Sequence, residues 1–125
     1  MSGGEIDEKL FIFLGFDGKE AKFLKATSKT GLFDANPELM SGCVVYAADQ
    51  VREFPKPRTI IDAAQPNLWS IRKSVLIGLL TREPQRLKSP MPADFDTRLR
   101  RALNQARALS AEDRAARLKI IGPPT

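Results

Sequence analysis

The sequence predicts a small α+β protein: an antiparallel sheet of three or four strands, led by an N-terminal hairpin, packed against about three C-terminal helices. Three observations carry this. Two apolar runs flank an Asp-Gly dipeptide near the N-terminus, the pattern of a hairpin. The β-branched run CVVYAA follows. Beyond residue 60, apolar residues recur at spacings of three and four, as they do on one face of a helix. The chain has 125 residues, the size of one domain, and its 42% hydrophobic and 28% charged residues are ordinary for a globular protein.

The acidic start, residues 1–8, is expected to be flexible. Residues 9–122 form one domain, with the sheet over about 9–54 and the helical half over about 60–121, and residues 123–125 are a tail. The single cysteine and the absence of histidine make a cytoplasmic setting the expectation, and the first residues lack the basic and apolar segments of a secretory signal.

The hairpin is LFIFLGFDGKEAKFLKA, with Asp17-Gly18 as a type I′ turn. Pairing Phe16 with Lys19 sets Leu14 against Ala21, Ile12 against Phe23 and Leu10 against Lys25. The first strand is apolar on both faces and is placed inside the sheet. The second carries Lys19, Lys22 and Lys25 and is placed nearer an edge.

Residues 27–42 connect, with one helical turn from Asn36-Pro37 to Met40. Gly42 opens the third strand, and residues 49–54 are either a fourth strand or a bend. TIIDAA is read as the start of a helix that Pro66 interrupts.

The longest apolar-periodic run, PNLWSIRKSVLIGLLTR (66–82), is predicted to be a buried central helix with Pro66 in its first turn and Trp69 in the core. It is too short and too charged to span a membrane. Three prolines, at 84, 90 and 92, then make an extended linker. From Asp94, the residues Phe95, Leu99, Ala102, Leu103, Ala106 and Leu109 outline the next helix. Ser110 caps a last one, 111–121, which Gly122 ends.

The net charge of +5 is unevenly spread. Residues 1–57 carry seven Lys/Arg against nine Asp/Glu, whereas residues 58–125 carry thirteen against six, ten of the thirteen being arginine. Arginine reads phosphate and carboxylate through its planar fork better than lysine does. The candidate binding residues for a nucleic acid or an acidic protein partner are therefore Arg98, Arg100, Arg101, Arg107, Arg114, Arg117 and Lys119 on the helices, with Arg86 and Lys88 on the linker.

Catalytic chemistry finds little support. There is no histidine and one cysteine, Cys43, so a histidine-assisted nucleophile, an intramolecular disulfide and most zinc sites are excluded. Cys43 reads as a buried structural residue. Glu20 and Lys22, with Asp7 or Asp17 upstream, have the spacing of a metal-dependent nuclease, but the same pattern is common in lysine-rich strands. The expectation is a small non-enzymatic regulatory protein, without cofactor or metal, that binds nucleic acid through its arginine-rich helices. The alternative is an interaction module (adaptor, inhibitor or antirepressor-like) docking on an acidic protein.

Overall fold

A computed structural model describes residues 10–27, 31–47, 50, 58–87 and 91–123. The elements are β1 (Phe11–Asp17), β2 (Glu20–Thr27), α1 (Gly31–Ala35), α2 (Pro37–Met40), β3 (Cys43–Ala47), β4 (Arg58–Asp62), β5 (Trp69–Arg72), α3 (Lys73–Arg82), a 3-10 turn at Pro84–Arg86, α4 (Phe95–Gln105) and α5 (Ala111–Ile121). The fold is α+β, as the sequence predicts: a curled antiparallel sheet beginning with a hairpin, followed by helices. The expected extra strand or bend at 49–54 lies, except for Gln50, outside the described residues, as do the start at 1–8 and Lys88.

The hairpin forms with a different register. Asp17 pairs with Glu20, Phe16 with Ala21 and Gly15 with Lys22, so the two-residue loop is Gly18-Lys19 rather than Asp17-Gly18. Gly18 has φ +62 and Lys19 does not have a positive φ, which is the glycine-first arrangement of a type II′ turn. A bulge then places Leu14 between two paired residues, so that Phe13 faces Phe23 and Ile12 faces Leu24.

The strand positions are the reverse of those predicted. The order is β1-β2-β4-β3, and β5 also pairs with β2. β1 is an edge, and β2 is the centre. Its residues 26–27 pair with β4 and its residues 20–23 with β5, both on the side away from β1. Two-sided apolarity reads as an interior strand only when both faces are covered. On β1, Ile12 is buried but Phe11, Phe13 and Phe16 are 41–47% exposed.

TIIDAA supplies a strand, not a helix: Thr59, Ile60 and Ile61 are all buried, and β-branched residues tolerate that pleated, doubly covered position. The run 66–82 divides in two. Trp69-Ser70-Ile71-Arg72 alternates apolar and polar and pairs with β2, and the helix begins only at Lys73. This helix, α3, buries no residue, and Val75 and Ile77 are more than half exposed. Gly78 lies in it with only the end of the Arg82 side chain as near as 4.0 Å to a would-be Cβ. Gly78→Ala is therefore expected to stabilise the protein by about 0.5–1 kcal/mol, measured by thermal or urea unfolding.

The core joins sheet and helices. Ile12, Leu24, Val44, Tyr46 and Ile61 from the strands meet Phe95, Leu99, Ala102 and Leu103 of α4, with Ala106 and Leu109 beyond its end. α5 begins as expected, with the Ser110 hydroxyl accepting from the Asp113 N–H at 3.1 Å, and ends at Gly122 with φ +86. Among the described residues no helix is long and apolar enough to cross a membrane.

Candidate nucleic-acid interface

Side chains alternate along a strand, and directly paired residues share a face. Phe11 and Phe13 therefore lie on one face of β1. The bulge at Leu14 shifts the alternation by one residue and returns Phe16 to that same face, where its ring is 5.1 Å from that of Phe13. Phe23 sits opposite Phe13, with Trp69 opposite Phe23 on β5. The rings form a connected group: Phe13–Phe23 at 5.5 Å, Phe11–Phe23 at 6.4 Å and Phe11–Trp69 at 5.1 Å between centroids, mostly edge to face. Trp69 is 52% exposed, not a core residue.

The remaining positions of this face on β1, β2 and β5 are Ala21, Lys25, Thr27 and Ile71, so the face carries no carboxylate there. Lys25 lies across from Phe11, and the Lys73 ammonium stands 4.7 Å over the Phe16 ring. The nearby acids, Asp17 and Glu20, alternate onto the opposite face, where Glu20 pairs with Arg72.

The loop between β4 and β5 borders this face and is held from below. On the side of β2 away from β1, Lys25 falls between the residues paired with β4 and those paired with β5. The Gln65 side chain meets its backbone, its Oε1 accepting from the Lys25 N–H at 3.1 Å and its Nε2 donating to the Lys25 carbonyl at 2.8 Å. The Ala64 N–H donates to the Asp62 carboxylate at 2.9 Å. Buried Arg117 reaches from α5 to donate to the carbonyls of Ala63 and Gln65. Burial lowers the Arg117 pKa, with Asp113 and Asp62 opposing the shift; burial raises the Asp62 carboxyl, with the Ala64 N–H and Arg117 opposing it. Beyond this support, residues Gln65 to Ser70 line an open depression of about 480 Å³, one wall of which is Trp69.

Several of the arginines singled out from the sequence serve the fold. α4 ends without a glycine, and Arg114 satisfies that end by donating to the carbonyls of Leu103, Ala106 and Leu109. Arg100 bonds Asp96 at 2.9 Å and the Gly122 carbonyl at 2.7 Å, tying α4 to the end of α5. Arg98 donates to the Val45 carbonyl at 2.9 Å and lies 4.4 Å over the Tyr46 ring. Arg86 pairs with Glu83 at 3.1 Å. Arg101, Arg107 and Lys119 are exposed. The aromatic face, by contrast, was missed in the sequence. Phe11 and Phe13 do alternate along β1, but a strand apolar on both faces reads as interior, and that hides them as surface residues.

Of the nuclease-like set, Asp7 lies outside the described residues. The Lys22 ammonium donates to the Ser70 hydroxyl at 2.5 Å, and among the described residues no three metal-ligating side chains cluster. Cys43 is half-buried, its thiol donating to the Leu39 carbonyl at 3.3 Å; burial, with Asp62 beside it, pushes its pKa up to about 12, far from a reactive thiolate. The chain matches no family model, no curated protein and no solved structure.

Proposed function

We propose that this is a small non-enzymatic protein that binds nucleic acid at the aromatic face of its sheet. The observation that carries the reading is the connected group of Phe11, Phe13, Phe16, Phe23 and Trp69, largely exposed on a face whose described positions on β1, β2 and β5 carry no carboxylate, with the Lys73 ammonium over the Phe16 ring. Contiguous exposed apolar side chains are a feature of binding surfaces. Rings supply stacking faces for bases, and ammonium groups neutralise phosphates. Exposed Arg101, Arg107 and Lys119 add to the long-range attraction, which keeps part of the arginine-helix expectation while moving the contact surface to the sheet.

The protein-docking alternative is favoured by a different observation, the exposure of Val75 and Ile77 on α3. Trp69 is the chain's one tryptophan, so its fluorescence reports directly on the face. Titration with a mixed-sequence single-stranded oligonucleotide is expected to quench it, with log K falling linearly against log salt, each neutralised phosphate adding about −0.7 to the slope. Lys73→Ala is expected to reduce the slope by about 0.7. Absence of quenching at low salt would sink the reading and leave protein docking.

A further inference from the structure

The ligand's form follows from the kind of surface offered, and the inference here rests on the nucleic-acid reading above. We propose that the protein selects single strands, and that the depression beside Trp69 seats one unpaired base, stacked on the indole and met at its edge by Asn67.

Two features lead there. The rings stand on a sheet face rather than on a helix or ribbon that could enter a groove, so they can reach only bases whose faces are free. Within a duplex those faces are covered by neighbouring base pairs, and the phosphates lie outermost. The depression, moreover, is lined by Gln65, Pro66, Asn67, Leu68, Trp69 and Ser70, none of them charged. The Lys22 ammonium, which a hydrogen bond places at its wall, is already donating to the Ser70 hydroxyl. A neutral, flat heterocycle would find an indole on one side and apolar Pro66 and Leu68 among its walls.

Exposed Asn67 offers a donor and an acceptor on one amide, the pairing that a base edge presents in return. Gln65, whose amide is already engaged with the Lys25 backbone, serves as a fixed wall. The loop is also preorganised. Asp62, Gln65 and Arg117 hold its backbone before any ligand arrives, which lowers the cost of ordering the site on binding.

The test uses fluorescein-labelled oligonucleotides read by anisotropy, with thermal melts confirming that each variant folds. The wild type is expected to bind a single strand at least about tenfold more tightly than a hairpin duplex of equal charge, and Trp69→Ala to weaken single-strand binding about tenfold while Trp69→Phe retains most of it. Asn67→Ala is expected to leave mean affinity within about threefold while flattening the ranking of dA, dC, dG and dT homopolymers.

If duplex and single strand bind equally, or Trp69→Ala binds as the wild type does while Lys73→Ala is weakened, the stacking site is wrong and nucleic-acid binding itself stands. If the wild type binds no oligonucleotide at low salt, both fall, and the aromatic face belongs to a protein partner.

Discussion

Arg117→Met is expected to destabilise the protein by about 2–4 kcal/mol and to lower its Tm by on the order of 10 °C. Arg117 is 6% exposed, and its two terminal nitrogens donate to the carbonyls of Ala63 and Gln65. Methionine keeps much of the volume and removes both donors. A buried carbonyl left unpaired costs about 1–3 kcal/mol, and Ala63 is fully buried. The loss also frees the loop that carries Asn67 and leads into Trp69, so the variant is expected to bind oligonucleotides more weakly even below its melting range.

A second readout separates the lost hydrogen bonds from the lost charge. The Asp62 pKa is raised in the folded protein, so the native state holds that proton more tightly than the unfolded chain. Ionised Asp62 therefore costs stability above its folded pKa, and the cost fades as pH falls toward the unfolded value. Arg117 partly offsets that cost. Without it the folded pKa rises further, so the variant's deficit is expected to be larger at neutral pH than near about pH 4, while the hydrogen-bond part stays constant. Melting curves over that range decide the matter. A variant melting within a degree or two of the wild type throughout would show that solvent replaces the guanidinium.

The parts of this fold that sequence reveals are those fixed by local chemistry. The Ser110 cap with the Asp113 N–H, the α4 stripe from Phe95 to Leu103 and the β-branched β3 each need only neighbours in the chain. What escaped depends on distant partners. The run from Pro66 to Arg82 holds both a period of two, over Trp69 to Arg72, and a helical period after it. Only the presence of β2 as a partner selects strand for the first part. The arginines make the same point about function. A guanidinium fork suits a phosphate, but it suits a free helix-end carbonyl equally well, and Arg114 and Arg100 are spent in that way. Nor does spacing tell a buried phenylalanine from an exposed one. Phe13 and Ile12 are neighbours in an unbroken apolar run, yet one faces solvent and the other the core.

The bulge that turns Phe16 onto the aromatic face leads to the other large effect: Gly15→Ala is expected to cost about 3 kcal/mol or more. Gly15 has φ +155, which a side chain rarely adopts, and a Cβ built on it would lie 2.2 Å from the Ile120 carbonyl oxygen and 3.1 Å from its carbon. The obstacle is backbone in the last turn of α5, so no rotamer change relieves it. Either the end of α5 lifts from β1, or the bulge is rebuilt and the alternation of β1 changes. The first outcome is expected to appear as faster hydrogen exchange at Ile120 and Ile121, and the second as weaker oligonucleotide binding, because Phe16 would leave its place beside Phe13 and Lys73. Gly31→Ala is the control: nothing lies within 4 Å of the added carbon, and its effect is expected to stay within about 0.5 kcal/mol. Should Gly15→Ala melt with the control, α5 does not seat against β1 at this point, and the bulge has some other cause than the close approach of Ile120.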